Sequence, residues 1–305
     1  MCKRKVWKAL CIATVATGMC AGAAWIFYPQ KMAAKAEHHI HRADVKLHLN
    51  SYVQQNKANL LQANGAYQDA NRSDYWIAHG GGIGAFVYCN SKEAVLDALQ
   101  RGFRYIELDL HFTTDGELVA AHDWVRLRQI IGDARAADTP MSKSEIMRFK
   151  ENWRQTPLFA EDIRQLMQDY PNMVLVTDKC QDFKRLSKEL PYQQRMIVEA
   201  SGCYNCLQAM RNGFFNVALS AWSANDLRLA RQYKLPGVVL SAKCFEDEQE
   251  TEALAQELHK EGCCIMVHWA SVCDQPAFIR KHLGVSISRI YTDAWSPSNS
   301  PLSSQ

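Results

Sequence analysis

The amino-acid sequence predicts an α/β protein, a (β/α)8 TIM barrel preceded by one N-terminal transmembrane helix. Short apolar runs alternate with amphipathic stretches from Tyr75 to Trp295, as repeated βα units require. This interval of about 220 residues suits a barrel with short loops. An uncharged run from Ala9 to Tyr28 precedes it and gives the transmembrane prediction.

The composition limits the function classes. The chain has 305 residues, of which 48% are hydrophobic and 22% are charged, and its formal net charge is +3. Such a chain can bury a full core and is not a disordered segment. Its lysines and arginines are scattered along the sequence, so no nucleic-acid partner is indicated. No feature indicates an obligate protein partner.

The N-terminal segment, residues 1–30, predicts a membrane anchor. The run from Ala9 to Tyr28 holds twenty uncharged residues, and about twenty such residues span a bilayer as a helix. Four basic residues between positions 3 and 8 precede the run, which favours a cytoplasmic N-terminus. The alternative is a cleaved signal peptide, because Ala21-Gly22-Ala23 resembles a cleavage site. In both cases the rest of the chain is exported, as a single-pass membrane protein or a secreted one.

Three further segments follow the anchor. Residues 31–72 are rich in alanine, polar and basic side chains and contain no strand-like apolar block, which predicts a partly helical spacer. Residues 73–297 form the predicted barrel. Residues 298–305 are predicted to be a disordered tail.

The barrel segment contains nine strand candidates for eight places. The surplus run lies beside the turn Thr113 to Gly116, which predicts a hairpin. The candidates are Trp76 to His79, Arg104 to Leu110, Leu118 to His122, Met173 to Asp178, Met196 to Glu199, Asn216 to Ser220, Gly237 to Ser241, Ile265 to Trp269 and Arg289 to Thr292. Helical patterns lie between them, at Ser91 to Arg101, Asn225 to Tyr233, Glu248 to Glu261 and Pro276 to Leu283. A doubly wound open sheet is the alternative, but no glycine-rich phosphate loop of the right spacing supports it.

Two acidic residues on the second strand predict a metal site. Glu107 and Asp109 are one residue apart, so both side chains point to the same side of the strand. Two adjacent carboxylates need a cation, and Ca²⁺ or Mg²⁺ is the expected partner at a barrel mouth. The alternative interpretation pairs these acids with arginines such as Arg104.

Two histidines predict acid–base chemistry near the acidic pair. His79 and His122 each end a strand candidate, and an imidazole can give or take a proton near neutral pH. Gly80 and Gly81 follow His79, and glycines let the backbone approach an anionic group closely. We therefore expect substrate contacts at both glycines.

Several motifs along this segment share one pattern of letters and spacing. They are His79-Gly80-Gly81, Asn90-Ser91, Gly102 to Asp109, Thr113-Thr114-Asp115-Gly116 and Val119 to Asp123. This pattern resembles the glycerophosphodiester phosphodiesterase family, a TIM-barrel branch of the phospholipase-C-like phosphodiesterases. The resemblance implies two catalytic histidines and a Glu-x-Asp pair that helps to hold a divalent ion.

The resemblance also implies roles for three residues further along the chain. It makes Asp178 a third metal ligand, Lys179 a phosphate contact, and Trp269 an aromatic residue of the substrate mouth, although Trp269 can equally be a barrel-core residue. Because adjacent strand residues point in opposite directions, Asp178 and Lys179 reach one site only if the strand ends between them. For the same reason His268, beside Trp269, is expected to point away and to be structural.

The chain departs from the family pattern at three motifs. The family's usual Glu-x-Lys on the fourth strand reads Asp178-Lys179, and the other two departures leave the substrate open. The usual His-Arg-Gly reads His79-Gly80-Gly81, and the usual Pro-Glu-Asn-Thr reads Tyr88-Cys89-Asn90-Ser91. We expect a metal-dependent hydrolase of glycerophosphodiester-like or phospholipid-headgroup substrates, joined to the membrane through its N-terminal helix. A lyase that forms a cyclic phosphate and a catalytically silent phosphate-binding or scaffolding domain are the alternatives.

Overall fold

The computed structural model of the chain describes residues 29–62, 72–247 and 249–302. These residues fall into two compact units that divide between Leu47 and His48. The predicted membrane-spanning run and the alternative cleavage site lie outside the described residues. Helix α1 covers Pro29–Gln62. Within the described residues, no helix is both long enough and apolar enough to cross a bilayer.

The described residues of the second unit form nine strands. They are β1 Trp76–Ala78, β2 Tyr105–Phe112, β3 Leu118–Ala120, β4 Val174–Asp178, β5 Met196–Ala200, β6 Asn216–Ala221, β7 Gly237–Ser241, β8 Cys264–His268 and β9 Arg289–Thr292. Eight of them are parallel and follow the order β1, β9, β8, β7, β6, β5, β4, β2, and β1 also pairs with β2. The sheet therefore closes on itself, which confirms the predicted (β/α)8 barrel.

Helices lie between the strands along the chain. They are α2 Lys92–Gln100, α3 Trp124–Ile131, α4 Lys143–Met147, α5 Ala160–Asp169, α6 Phe183–Glu189, α7 Gly202–Arg211, α8 Ala224–Tyr233, α9 Lys243–Asp247, α10 Gln249–Lys260, α11 Ala270–Cys273 and α12 Pro276–His282. Side-chain caps fix where several of them begin. Ser91 Oγ accepts a hydrogen bond from the Ala94 amide at 3.2 Å, and Asp123 accepts one from the Arg126 amide at 2.7 Å.

The surplus strand candidate forms the predicted hairpin. Strand β3 runs antiparallel to β2, with Leu110 opposite Ala120 and Phe112 opposite Leu118. The turn is closed by a hydrogen bond of 2.8 Å from the Thr113 amide to the Glu117 carbonyl. His122 therefore follows a hairpin strand rather than a barrel strand.

The predicted disordered tail begins with an ordered turn. Its residue Asn299 pairs with Ser296, and Pro297 lies in the turn between them, a position that proline favours. The description ends at residue 302.

The barrel interior is filled by alternate residues of the strands, as the period of two requires. Val174 and Val176 contribute from β4, and Cys264 and Met266 from β8, and all four are buried. Because side chains fill the interior, a ligand site is expected at an end of the barrel. The chemistry-bearing side chains lie at the carboxyl end of the strands.

Candidate active site

A cavity of about 630 Å³ opens at the carboxyl ends of the barrel strands. Seven of the nine site residues that the sequence indicates line it, namely His79, Glu107, Asp109, His122, Asp178, Lys179 and Trp269. The two exceptions are Gly80 and Gly81. The barrel thus brings together side chains that are up to 190 positions apart, from His79 to Trp269.

Three carboxylates meet on neighbouring strands. Glu107 and Asp109 lie on β2 and are 3% and 4% exposed, and both line the cavity as predicted. Asp178 ends β4 directly opposite Asp109. One oxygen atom from each of the three lies within 4.8 Å of the others. The prediction that Asp178 joins the acidic pair agrees with this position.

The electrostatics of this cluster fit a divalent cation. Burial, followed by repulsion from Asp109, raises the pKa of both Glu107 and Asp178 well above the ordinary range. The Asp178 Oδ1 atom is buried, and no described residue hydrogen-bonds to it. Lys179 Nζ lies 3.8 Å from Asp109 Oδ1 and 3.5 Å from Asp178 Oδ2, so one ammonium faces three carboxylates. A hard cation with oxygen ligands fits this excess of negative charge.

Hydrogen bonds hold the two β2 carboxylates in place. The Gly80 amide donates to Glu107 Oε2 at 2.6 Å. Asn90 Nδ2 donates to Asp109 Oδ2 at 2.9 Å, and Asn90 Oδ1 accepts from the Asp109 amide at 2.9 Å. Asn90, which the sequence shows only as part of a motif, therefore orients a predicted ligand.

The glycines do not lie where the sequence suggests. The anionic group that Gly80 approaches is the Glu107 carboxylate of the protein itself. Gly81 is buried, and a Cβ there would lie 3.2 Å from Leu108 and 3.3 Å from Val95. Neither glycine lines the cavity, because the amide of one binds a carboxylate and the other packs against helix α2 and strand β2.

Two strand ends turn sharply and bring adjacent residues into the cavity. Lys179 follows the last residue of β4 and has a φ of +59°, and Trp269 follows β8 with a φ of +90°. The strand therefore ends between Asp178 and Lys179, as their shared site requires. The expectation that His268 points away is wrong, because both His268 and Trp269 line the cavity. Trp269 is 43% exposed, so it is not a barrel-core residue.

Each predicted catalytic histidine has a carboxylate at Nδ1. His79 Nδ1 lies 3.0 Å from Asp293 Oδ1, and His122 Nδ1 lies 2.7 Å from Asp123 Oδ2. A carboxylate at Nδ1 orients the ring and stabilises the imidazolium form. No described residue hydrogen-bonds to either Nε2. This nitrogen of each ring is therefore available for proton transfer in the cavity.

Tyr88 lies between the two histidines. Its ring centroid is 4.3 Å from that of His79 and 5.3 Å from that of His122. A Cβ at Gly80 would lie only 2.5 Å from the Tyr88 Cα. Gly80 and Tyr88, both departures from the family pattern, are thus sterically linked. Burial, followed by the negative charge of Asp293, raises the pKa of Tyr88 above its ordinary value.

A further buried acid, on strand β5 next to β4, lines the cavity. Glu199 ends its predicted strand and accepts a hydrogen bond from the Tyr291 hydroxyl. Burial raises the pKa of Glu199 to about 7, although this hydrogen bond lowers it. Burial likewise lowers the pKa of the nearby His268 to about 4, so this imidazole is neutral at physiological pH.

The structure adds cavity and supporting residues to which the sequence assigned no role at the site. They are Tyr88, Asn90, Asp123, Glu199, His268, Tyr291 and Asp293. Glu199 had a usable signal, since an acid at the mouth end of a barrel strand is typical of a functional residue. The contacts of Tyr88 and Asp293 depend on loop geometry and barrel closure, for which the sequence offers no periodic signal.

Several solved structures with a similar fold are described as phosphodiesterases. A glycerophosphoryl diester phosphodiesterase from Parabacteroides distasonis has a TM-score of 0.62 and 17% identity, covering 80% of this chain and 90% of that one. A glycerophosphodiester phosphodiesterase described as putative, from Galdieria sulphuraria, has a TM-score of 0.57 and 16% identity, covering 74% and 95%. An Oleispira antarctica phosphodiesterase in complex with the product sn-glycerol-3-phosphate has a TM-score of 0.56 and 14% identity, covering 76% and 98%. At these identities the likeness shows the shared fold.

The family follows from the sequence itself. No curated protein matches the chain significantly. Residues 79–262 match the glycerophosphoryl diester phosphodiesterase family, and this stretch is more than half of the 305 residues. It begins at His79 and contains the acidic cluster and His122. The chain therefore belongs to the glycerophosphoryl diester phosphodiesterase family of phosphoric diester hydrolases.

Proposed function

We propose that this barrel hydrolyses glycerophosphodiester-like or phospholipid-headgroup phosphodiesters, with a divalent ion and two-histidine acid–base catalysis. One observation carries the proposal. Two histidines, each bound to a carboxylate, line the same cavity as a cluster of three acids, two of which are buried. The product bound to the Oleispira antarctica phosphodiesterase, sn-glycerol-3-phosphate, supports this class of substrate.

The acidic cluster has the donor set for the ion. Glu107, Asp109 and Asp178 would hold Ca²⁺ or Mg²⁺, and the ion supplies Lewis-acid stabilisation of negative charge on the phosphoryl group. Lys179 lies beside the cluster, at 3.8 Å from Asp109, where its ammonium can contact a phosphoryl oxygen. Trp269 is 43% exposed. Lys243 Nζ lies 3.9 Å from its ring centroid, and the other face of the ring can contact the alcohol part of the substrate.

The histidines move the protons. One imidazole takes a proton from the attacking water through Nε2, and the other gives a proton to the departing alcohol. The P–O bond to that alcohol breaks as the new P–O bond forms, so the products are a phosphomonoester and a free alcohol. Asp293 and Asp123 hold the two rings and stabilise whichever ring carries the positive charge. Either histidine can take either role.

A phosphodiester panel tests this function. We expect the full-length chain to release phosphomonoesters from glycerophosphodiesters, as followed by phosphorus NMR. This release should stop in excess EDTA and resume when Mg²⁺ or Ca²⁺ is added. A cyclic phosphate as the final product would identify the lyase instead. Absence of turnover on every diester would identify a silent phosphate-binding domain, and full activity in EDTA after dialysis would overturn the metal assignment.

Ligand variants test the metal site directly. Glu107→Gln and Asp109→Asn should each weaken binding of the ion, measured by calorimetry, and leave the barrel folded. Glu257→Gln is the matched control, because Glu257 is an exposed carboxylate that pairs with Arg231 on the surface. Parent-like affinity in either cluster variant would remove that residue from the ligand set.

We further propose that the barrel works on the exported side of a membrane, held by an anchor within residues 1–30. Support comes from the basic residues before position 9 and from the uncharged run of twenty residues after them. A reporter fused after Gln305 should be active only outside the cytoplasm. Reporter activity found only in the cytoplasm would overturn this orientation.

A further inference from the structure

We propose that Tyr88 is a substrate-binding residue of this site, and that its phenolic hydroxyl donates a hydrogen bond to a non-bridging oxygen of the bound phosphate group. The inference rests on the proposed function for the identity of the ligand. It adds a neutral side-chain donor to a site for which sequence reasoning predicted acids, a lysine, histidines, a tryptophan and two glycines.

The position of the ring is the first observation. Tyr88 lines the cavity, and its ring packs against both imidazoles. Its ring centroid lies 4.3 Å from that of His79 and 5.3 Å from that of His122. A phosphoryl group whose attacking and departing oxygens exchange protons with the two histidines must lie within reach of both rings. A side chain that touches both rings therefore borders the phosphate.

The state of the hydroxyl is the second observation. Two tyrosines line the cavity, and the hydroxyl of Tyr291 is committed to Glu199. No described residue hydrogen-bonds to the Tyr88 hydroxyl, which is also absent from the fully buried polar atoms. A polar group that faces a binding cavity without a protein partner is available to a ligand.

The backbone holds the ring in this position. Tyr88 has a φ of +57°, a left-handed conformation that a bulky residue adopts only when its surroundings enforce it. The Asn90 amide donates to the Gly80 carbonyl at 2.7 Å, and the Arg126 guanidinium lies 5.4 Å from the Tyr88 ring centroid. Because Gly80 has no side chain, the Tyr88 backbone can pack directly on it.

The charge balance explains the use of a phenol. Five acids line the cavity, namely Glu107, Asp109, Asp178, Glu199 and Asp293, and among the described lining residues only Lys179 supplies an ammonium. A phosphate anion gains from extra donors there. A hydroxyl donates a hydrogen bond without adding positive charge that would compete with a divalent ion for the same carboxylates.

The test compares Tyr88→Phe with the parent chain. The variant keeps the ring against both histidines and removes only the hydroxyl. With saturating Mg²⁺, we expect the Kd of inorganic phosphate and of sn-glycerol 3-phosphate, measured by calorimetry on the full-length chain, to rise about tenfold. Tyr192→Phe is the matched control, since the Tyr192 hydroxyl donates to the Arg164 carbonyl outside the cavity, and its Kd should equal that of the parent.

The outcomes separate this inference from the proposed function. If the parent hydrolyses phosphodiesters and the Kd is unchanged in Tyr88→Phe, only the role of Tyr88 is overturned and the proposed function stands. A parent that turns over no phosphodiester but binds phosphate, with weaker binding in Tyr88→Phe, would overturn the proposed function and support the role of Tyr88. A parent that binds neither ligand would overturn the inference. Parent-like thermal stability of Tyr88→Phe shows that the change acts locally.

Discussion

The two histidines obtain their carboxylate partners in different ways. His122 is bound to the next residue, Asp123, whereas His79 is bound to Asp293, which lies 214 positions later. The first pair is local and needs only the turn before helix α3. The second pair exists only when the last barrel strand lies beside the first one.

His79→Ala and His122→Ala should each lower turnover by roughly two to four orders of magnitude, the usual range for a positioned acid or base. Stability should change little, because both rings line the cavity rather than the core. Steady-state kinetics with glycerophosphodiesters and thermal unfolding of each variant would measure the two effects.

The choice of leaving group assigns the roles of the two histidines. A nitrophenol leaves without protonation, so it should restore turnover in the variant that lacks the acid and not in the one that lacks the base. The double variant should be little worse than either single one, because residues that act as a unit are strongly non-additive. Equal impairment with both kinds of leaving group would contradict the assignment.

Residue spacing was sufficient to predict part of this site. The period of two on a strand placed Glu107 and Asp109 on one side, and the strand end placed His79 at the mouth. Asp178 was assigned to the site only by the resemblance to the family. The same period failed for His268, because it assumes that the strand continues. Trp269 has a φ of +90°, and a single non-glycine residue in that region leaves no periodic signal in the sequence.

At the level of elements, the β2–β3 hairpin and the helix after it carry much of the chemistry. Strand β2 carries Glu107 and Asp109, and the returning chain ends in His122 and Asp123. Asp123 has two functions, since it caps helix α3 through the Arg126 amide and holds the His122 ring. The Thr-Thr-Asp-Gly turn predicted the hairpin, but the double use of Asp123 required the structure.

Asp123→Ala should lose both functions at once. The lost cap should lower the free energy of unfolding by about 1 kcal/mol, and turnover should fall about tenfold or more because the His122 ring loses its orientation. Ser223→Ala is the matched control, since Ser223 caps helix α8 through the Asp226 amide. Chemical denaturation and steady-state kinetics should show similar losses of stability in the two variants, with turnover reduced only in Asp123→Ala.

An unchanged turnover in Asp123→Ala would mean that His122 is oriented without its carboxylate. In that case the contact of His122 with the Tyr88 ring, at 5.3 Å between centroids, would be the next candidate for holding the ring. A loss of turnover in Ser223→Ala would show instead that helix capping affects the site indirectly.

For the whole molecule, the acids at the mouth make the stability of the metal-free chain depend on pH. The pKa of Glu199 is raised to about 7 in the folded chain, from an ordinary value of 4.5. Between these values the folded chain binds more protons than the unfolded chain, so the free energy of unfolding decreases as the pH rises through this window. This is the opposite of the behaviour of a carboxylate in a salt bridge.

Glu199→Gln should therefore flatten part of this pH dependence. In EDTA, titration of Glu199 should lower the free energy of unfolding of the parent by on the order of 3 kcal/mol between pH 5 and pH 8. The variant should not show this decrease. Urea denaturation at both pH values measures the effect, with the exposed Glu257→Gln as control. Equal pH dependence in parent and Glu199→Gln would show that Glu199 titrates normally in the fold.

Barrel closure sets when the site comes into existence. The first and last strands pair from Trp76 opposite Ile290 to Ala78 opposite Thr292, and Asp293 follows directly. A nascent chain therefore carries all three carboxylates and both histidines long before it can orient His79. We expect a chain that stops at Ser288 to show no turnover in a cell-free translation reaction, and activity to appear only as residues 289–302 are added. Turnover by the shorter chain would show that an open barrel suffices. Absence of turnover would make the enzymatic signal a reporter of barrel closure during synthesis.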